Sequence, residues 1–388
     1  MYKIKTLNKI SPLGLNLIGE SGFALDDAAE APDAILVRSA NMNEMRFADN
    51  LLCIARAGAG TNNIPVASCA EKGVVVFNTP GANAEAVKEL VICAMLMASR
   101  DVVGGVDWVR SIAGKGAEIP AMVEKGKASF AGPEIMGKTL GVVGLGAVGA
   151  KIANAALELG MAVYGYDPFL SVDAAWRLSS QVRHATDIDT IYRSCDYITL
   201  HVPYIKGSTH HMLDKEAFAK MKDGVRIINL ARAELVCDED LLDAIDSTKV
   251  ARYVTDFPNA ATAEAPNTIP IPHLGASTPE SEENCALMAA RQTVDYLLDG
   301  NIENSVNLPD VRLARMGSSR LCIIHRNVPR MLNNFLDLIA RADINIAHMI
   351  NKAKGEIAYT VIDTDTQVGA EIPGMIARMS DVFRVRVL

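Results

Sequence analysis

None of the chain's seven cysteines (53, 69, 93, 195, 237, 285 and 322) stands in a C-x-x-C pair. Scattered and odd in number, they argue against a disulfide framework or a cysteine-based zinc site, and they fit a reducing, cytoplasmic setting. No metal is expected. Uninterrupted apolar runs are also missing: no window reaches the ~18–20 residues of a membrane span. The opening MYKIKTLNKI has no apolar stretch of the secretory kind. Positive charge is in deficit, with 38 Lys and Arg against 46 Asp and Glu and a net charge of −8. That balance excludes a broad electrostatic grip on nucleic acid, although local basic residues could still hold a small anion. Internal repeats and low-complexity tracts are absent too.

What is present is the composition of a globular protein, 49% hydrophobic and 22% charged. The 388 residues suffice for two or three domains with substantial cores. Short apolar runs, AILVR (34–38), LLCIAR (51–56) and VVVF (74–77), precede a long helical pattern at about 84–100. A second series runs through TLGVVG (139–144), MAVYGYD (161–167), DYITLHV (196–202), VRIINLA (225–231) and VARYVTDF (250–257), with helical patterns between. Val/Ile runs without alternation suit strands buried on both faces, and the βα rhythm predicts parallel sheets. After a helical pattern at 280–299 the style changes. The runs 322–325, 344–350, 356–363 and 382–387, with helices at 329–341 and 370–379, give a β-α-β-β-α-β order of ferredoxin-like type.

One stretch, GPEIMGKTLGVVGLGAVG, fits two phosphate-binding patterns. Gly132-x-x-x-x-Gly137-Lys138-Thr139 has the spacing of a P-loop, but the polar EKGKASFA precedes it and three glycines in LGVVGLG would cripple the helix that must follow. Gly144-x-Gly146-x-x-Gly149 has the opposite context, with a strand before it and the helix former AKIANAALELG after it. The next strand ends in Asp167, 18 residues beyond Gly149. Gly144 then serves the tight turn, Gly146 the approach of a pyrophosphate, and Gly149 close helix–strand packing. Asp167 would accept hydrogen bonds from ribose hydroxyls and repel a 2′-phosphate, which favours NAD.

Hydride transfer from an alcohol needs a base for the hydroxyl proton and a cation for the oxyanion and any carboxylate. Three groups fall at C-terminal strand ends of the second unit, where such residues belong. Arg232 follows VRIINLA, Asp256 ends VARYVTD, and His273 lies in IPHLGAST.

Together NTPGANAEAVKE, GVVGLGAVG, GYDP, NLARAELV and IPHLGASTPES resemble the D-2-hydroxyacid dehydrogenase family, and the terminal β-α-β-β-α-β unit looks like an ACT domain. The resemblance implies an α/β fold of two doubly wound parallel-sheet domains, a Rossmann-type NAD domain (100–282) inserted in a flavodoxin-like substrate domain (1–99 and 283–308). A ferredoxin-like ACT unit (319–388) would follow. It implies Arg232 as the holder of the substrate carboxylate and C2 oxygen, and His273 as the group that takes the C2 hydroxyl proton. Gly144, Gly146, Ala147, Val148, Gly149, Asp167, Val202, Leu230, Ala231, Arg232, Asp256, His273, Gly275 and Ala276 match positions lining NAD. Arg38, Ser39, Arg56, Gly58 and Asn83 match positions that hold substrate, and the two arginines suit an acid carrying a phosphate, such as 3-phospho-D-glycerate. His325, Asn327 and Asn345 match ACT positions that bind L-serine in some relatives, although Arg330 stands where those domains often have Gly. Relatives are dimers or tetramers, so a homo-oligomer is expected.

One departure concerns the base. The family usually places a Glu about five residues after the Asp, paired to the histidine; here that offset falls on Ala260 or Ala261. Glu264 is the nearest carboxylate and the candidate substitute. Two rival functions stay open: a dehydrogenase of another D-2-hydroxy acid, and an NAD-sensing binding protein that has lost catalysis.

Overall fold

The computed structural model describes residues 1–388, the side chain of Asp173 excepted. The first parallel sheet contains β1 (Lys3–Leu7), β2 (Ala24–Leu25), β3 (Ala34–Val37), β4 (Cys53–Arg56) and β5 (Val75–Phe77), in the order β2-β1-β3-β4-β5. This is the flavodoxin-like order. The second holds β6 (Thr139–Val143), β7 (Ala162–Tyr166), β8 (Arg183–His184), β9 (Tyr197–Leu200), β10 (Val225–Asn229), β11 (Val250–Thr255) and β12 (Thr268–Pro270). Its order, β12-β11-β10-β9-β6-β7-β8, reverses direction at β6, the Rossmann switch point. The third is antiparallel: β13 (Ser319–Arg326), β14 (Ile346–Lys354), β15 (Ile357–Thr364) and β16 (Val382–Val387), ordered β14-β15-β13-β16. With helices Met331–Arg341 and Glu371–Ala377 it forms the ferredoxin-like unit. Among the described residues, no helix is long and apolar enough to cross a membrane.

β1 was not visible as a strand in the sequence. Lys3, Lys5 and Thr6 interrupt it, and only Ile4 of the five is fully buried, so no apolar run marks it.

The chain forms two compact units, Met1–Asn83 with Pro279–Leu388, and Ala84–Thr278. The expected division differed in two respects. Helix Ala84–Ser99 belongs to the second unit, because Val87, Val91, Ala94, Met95 and Ala98 pack with Leu140, Val142, Ile152, Ile228 and Val254. Arg226 Nε also donates to the Ala98 carbonyl at 2.9 Å, and the Ser99 and Tyr197 hydroxyls bond at 2.7 Å.

The C-terminal unit, expected as a separate domain, is built into the first unit. One face of its sheet contributes Cys322, Ile324, Tyr359 and Val361 to the cluster containing Phe77, Tyr296 and Leu297. The other face, with Leu321, Ile323 and Ile362, is covered by Phe335, Ile339 and Ile376 of its own helices.

Polar groups reinforce this seam. Helix Pro279–Asp299 ends with carbonyls that no further helical turn can satisfy. Arg386 donates to the carbonyls of Tyr296 (3.0 Å) and Leu297 (2.8 Å), and its guanidinium carbon lies 4.6 Å from the Tyr296 ring centre. Arg320 donates to the Asp299 carbonyl at 2.7 Å while forming a two-point ion pair with Asp363 at 2.6 and 2.7 Å. Both partners of that pair are fully buried. Guanidinium groups at this end also oppose the negative pole of the helix.

A buried pair broken on one side leaves an uncompensated charge. Arg320→Met is therefore expected to cost about 3–5 kcal/mol in urea unfolding. Replacing both partners with apolar residues should recover most of that loss.

Candidate active site

The turn after β6 explains why glycines stand where they do. Gly144 has φ 90°, and a Cβ there would lie 2.5 Å from the His201 carbonyl oxygen. A Cβ on Gly149 would sit 1.9 Å from the Gly144 carbonyl oxygen. By contrast, a Cβ on Gly146 would meet nothing within 4 Å, so its smallness is not needed by the protein's own packing. Helix Ala147–Glu158 begins directly after it with no side-chain cap. The first-turn amides, those of Ala147 and Val148 among them, therefore face outward without a side-chain acceptor.

Asp167 stands just past β7. Its Oδ2 accepts from the Leu145 N–H and its Oδ1 from the Phe169 N–H, each at 2.9 Å. The carboxylate is thus tied to the glycine turn itself. An uncapped helix start, an open Gly146 and a fixed carboxylate on the next strand fit a dinucleotide with a free ribose 2′-hydroxyl. The P-loop alternative finds no support: Thr139 opens a strand, and a 3-10 turn (Lys127–Phe130) precedes the stretch.

His201 follows β9, and Val202 lies against Gly144, its Cγ1 3.0 Å from where a Cβ would be. The His201 ring bonds Thr199 Oγ1 at 2.8 Å, and desolvation pushes its pKa down to about 3. It is neutral and unsuited to general-base work at physiological pH.

Three loops at neighbouring strand ends carry Arg232, Asp256 and His273. After β10, buried Asn229 fixes the turn that presents Leu230, Ala231 and Arg232. Its Oδ1 accepts from the Ala231 and Arg232 amides at 3.2 and 3.4 Å. Its Nδ2 donates to the Arg232 carbonyl at 2.8 Å and the Tyr253 hydroxyl at 3.1 Å. The exposed Arg232 guanidinium donates to the Ala231 carbonyl, with its carbon 5.6 Å from the Phe257 ring centre.

After β11, Asp256 is 2% exposed. One oxygen accepts from the Gly275 N–H at 3.3 Å, and the other has no partner among the described residues. Burial pushes this carboxyl up, against the opposing pull of His273, the Gly275 amide and Arg232. After β12, the His273 imidazole packs on the same Phe257 ring, centres 4.4 Å apart and planes at 48°. Arg232, Asp256, His273 and Gly275 are thus brought together, and Ala276 continues the His273 loop.

Glu264 is not brought to His273. Asn259 closes a capping box with Thr262 over the short helix Ala260–Ala263. That closure buries Thr262 and leaves Glu264 exposed at the helix end. No ion pair joins Glu264 to His273 among the described residues.

In the first unit, Arg38 pairs with Glu282 at 2.7 Å, and Arg56 Nε donates to the Arg38 carbonyl at 3.1 Å. Gly58, at φ 154°, leaves room for the Arg56 guanidinium, 2.8 Å from where a Cβ would be. The amides of Ser39 and Ala40 both donate to Asn8 Oδ1, at 3.0 and 2.6 Å. Asn83 is half-buried at the end of the unit's first segment.

No motif singles out Asn8, Asn229, Phe257 or Glu282 in the sequence. Only the asparagines left a signal, since a short amide at a strand end commonly closes the following turn.

The ACT candidates are dispersed in their bonding. His325 is buried, with Nδ1 on the Arg326 carbonyl and Nε2 on Thr360 Oγ1, both at 2.8 Å, and burial pushes its pKa down. Asn327 donates to Gly355 O and Asn345 to Asp365. Arg330 occupies a left-handed position, φ 71°, that glycine would hold without strain.

The profile of the D-isomer specific 2-hydroxyacid dehydrogenase NAD-binding domain matches residues 92–275. The D-3-phosphoglycerate dehydrogenase of Haemophilus influenzae is 30% identical over 356 residues, covering 88% of this chain and 82% of that one. The chain belongs to the D-2-hydroxyacid dehydrogenase family. Its Archaeoglobus fulgidus relative, also a D-3-phosphoglycerate dehydrogenase, is 34% identical over 77% of this chain, which spans only 56% of that longer protein. A hydroxypyruvate reductase of Thermotoga maritima is 35% identical over 66% of this chain and 81% of its own. Among solved structures, the NAD+-bound 3-phosphoglycerate dehydrogenase of Entamoeba histolytica superposes with a TM-score of 0.61 at 24% identity, covering 79% of this chain and 98% of that one. The holo D-mandelate dehydrogenase of Rhodotorula graminis gives 0.66 at 21% identity, covering 81% and 99%. These likenesses show the dehydrogenase fold.

The glycines separate packing from ligand approach. Gly146→Ala, at the N-cap, should cost no more than about 1 kcal/mol of folding stability yet weaken NAD binding at least about 10-fold. Gly149→Ala should destabilise the unit by roughly 1–3 kcal/mol or more. Calorimetric melting beside NAD titration distinguishes the two effects.

Proposed function

We propose that this dehydrogenase oxidises 3-phospho-D-glycerate to 3-phosphohydroxypyruvate with NAD, the opening step of serine synthesis. The observation that carries the reading is the meeting of Arg232, His273 and Asp256 at adjacent strand ends of the sheet whose β6 turn fits a dinucleotide. The fork of Arg232 holds the substrate carboxylate and C2 oxygen at two points, a geometry Lys lacks. His273 takes the C2 hydroxyl proton as the hydride leaves C2, and returns it in reduction. Bound NAD supplies the hydride acceptor; the β6 turn, Asp167 and the loops at 202, 230–232, 256 and 273–276 would hold it. Arg38 and Arg56 favour a phosphorylated acid, because a phosphate gains from additional cations.

Turnover with NAD on 3-phosphoglycerate, glycerate, lactate and 2-hydroxyglutarate tests the substrate. His273→Asn is expected to lower kcat by about 10²–10⁴-fold, and Arg232→Ala to lower kcat/KM by about 10³-fold. Glu264→Gln should leave kcat within about twofold, given its exposure and lack of an ion pair. Wild-type-like turnover of His273→Asn would instead favour an NAD-sensing role.

A homo-oligomer is part of the reading. Helix Val102–Ser111 buries none of its residues, and Val102, Val106 and Val109 form an exposed apolar stripe at helical spacing. Trp108 packs on Phe130 behind it. Association with a second copy through this stripe would cover it. The double substitution Val106→Glu, Val109→Glu should halve the mass found by light scattering.

For the C-terminal unit, a structural role has the better support. Both ring nitrogens of His325 are engaged, and Arg330 fills the turn. L-serine is accordingly expected neither to release heat nor to inhibit at millimolar concentration.

A further inference from the structure

The base of this enzyme lacks the carboxylate that would normally orient it. Among the described residues no hydrogen bond reaches the His273 ring, and Glu264 is exposed with no ion pair to it. An imidazole on an exposed loop with no ring hydrogen bond would sample several rotamers. What limits it here is a flat surface, the Phe257 ring, 4.4 Å away centre to centre. The same ring contacts the second reacting group, with the Arg232 guanidinium carbon 5.6 Å from its centre.

Phe257 is itself well fixed. Its N–H donates to the buried Thr255 hydroxyl at 3.1 Å. Asp256 before it is buried, and Pro258 after it restricts its backbone to extended conformations. The ring face carries negative quadrupolar density, which favours a cation against it. Arg232 is always such a cation, and His273 becomes one on taking the proton.

We infer that Phe257 is a positioning residue for the reaction, holding His273 and Arg232 in register by contacts to one aromatic ring and filling the orienting role left by the missing carboxylate. This rests on the reading that those two residues are the reacting pair. It predicts that Phe257 acts on the hydride-transfer step more than on cofactor binding, because its contacts are to the catalytic side chains and not to the glycine turn.

The test uses the full chain with NAD and 3-phospho-D-glycerate, protiated or deuterated at C2. Phe257→Leu keeps an apolar side chain but removes the planar face. The expected result is a loss of about 10-fold in kcat, since small misplacements of reacting groups are costly. KM for NAD should stay close to wild type, and the deuterium isotope effect on kcat should rise. Phe257→Tyr, which retains the ring, should recover most of the loss. Wild-type kcat and isotope effect in Phe257→Leu would overturn the proposal. So would an equal loss in Phe257→Tyr, or a loss with unchanged isotope effect and a lowered melting temperature. His273→Asn, assayed in parallel, keeps the two readings apart. If it is inactive while Phe257→Leu is normal, only the positioning role fails; if it turns over normally, the assignment of the base fails first.

Discussion

A helix start and a strand end that approach too closely for a methyl group set the geometry of the second unit. The Gly144 carbonyl occupies the space a side chain at position 149 would need. That contact brings the positive pole of helix Ala147–Glu158 to the end of β6, at the switch point of the sheet. The Leu145 amide that anchors Asp167 lies in the same turn. The uncapped helix start and the Asp167 carboxylate are therefore not independent: relaxing the turn would displace both.

The groups proposed to react obey a related economy. Arg232, Asp256 and His273 follow β10, β11 and β12, three neighbours in one sheet. Parallel strands deliver their C-terminal loops to one edge, so residues 41 positions apart in sequence meet there. Asn229 stiffens the first of these loops from beneath and Asp256 tethers the last through the Gly275 amide. The half-bonded Asp256 carboxyl is an energetic liability in a buried position, where burial pushes its pKa up against the opposing pull of His273 and Arg232 beside it.

Much of this was legible without coordinates, for a physical reason. Strands buried on both faces must be continuously apolar, and close helix–strand packing calls for glycine, so β6, β9, β10 and the turn at 144–149 advertised themselves. β1 did not, because charged residues interrupt it. The unit boundaries were misplaced because helix Ala84–Ser99 reads as amphipathic wherever it packs, and only contacts decide which sheet receives its apolar stripe. Glu264 is near His273 by distance along the chain, but the capping box buries Thr262 and leaves Glu264 exposed at the end of the short helix. Phe257 carried no signal: one aromatic residue at a strand end reads as core until the His273 ring and the Arg232 guanidinium are found against it.

The arginine seam at the end of helix Pro279–Asp299 bears on the order in which the polypeptide acquires its shape. Residues 84–278 are contiguous and can close their core as soon as they leave the ribosome. The other unit joins residues 1–83 to 279–388, and Arg386 on β16 binds the Tyr296 and Leu297 carbonyls and reaches the Tyr2 hydroxyl at 3.4 Å. The first strand made must therefore wait for β16, and β1–β5 complete their surroundings only once residues 279–388 have been made.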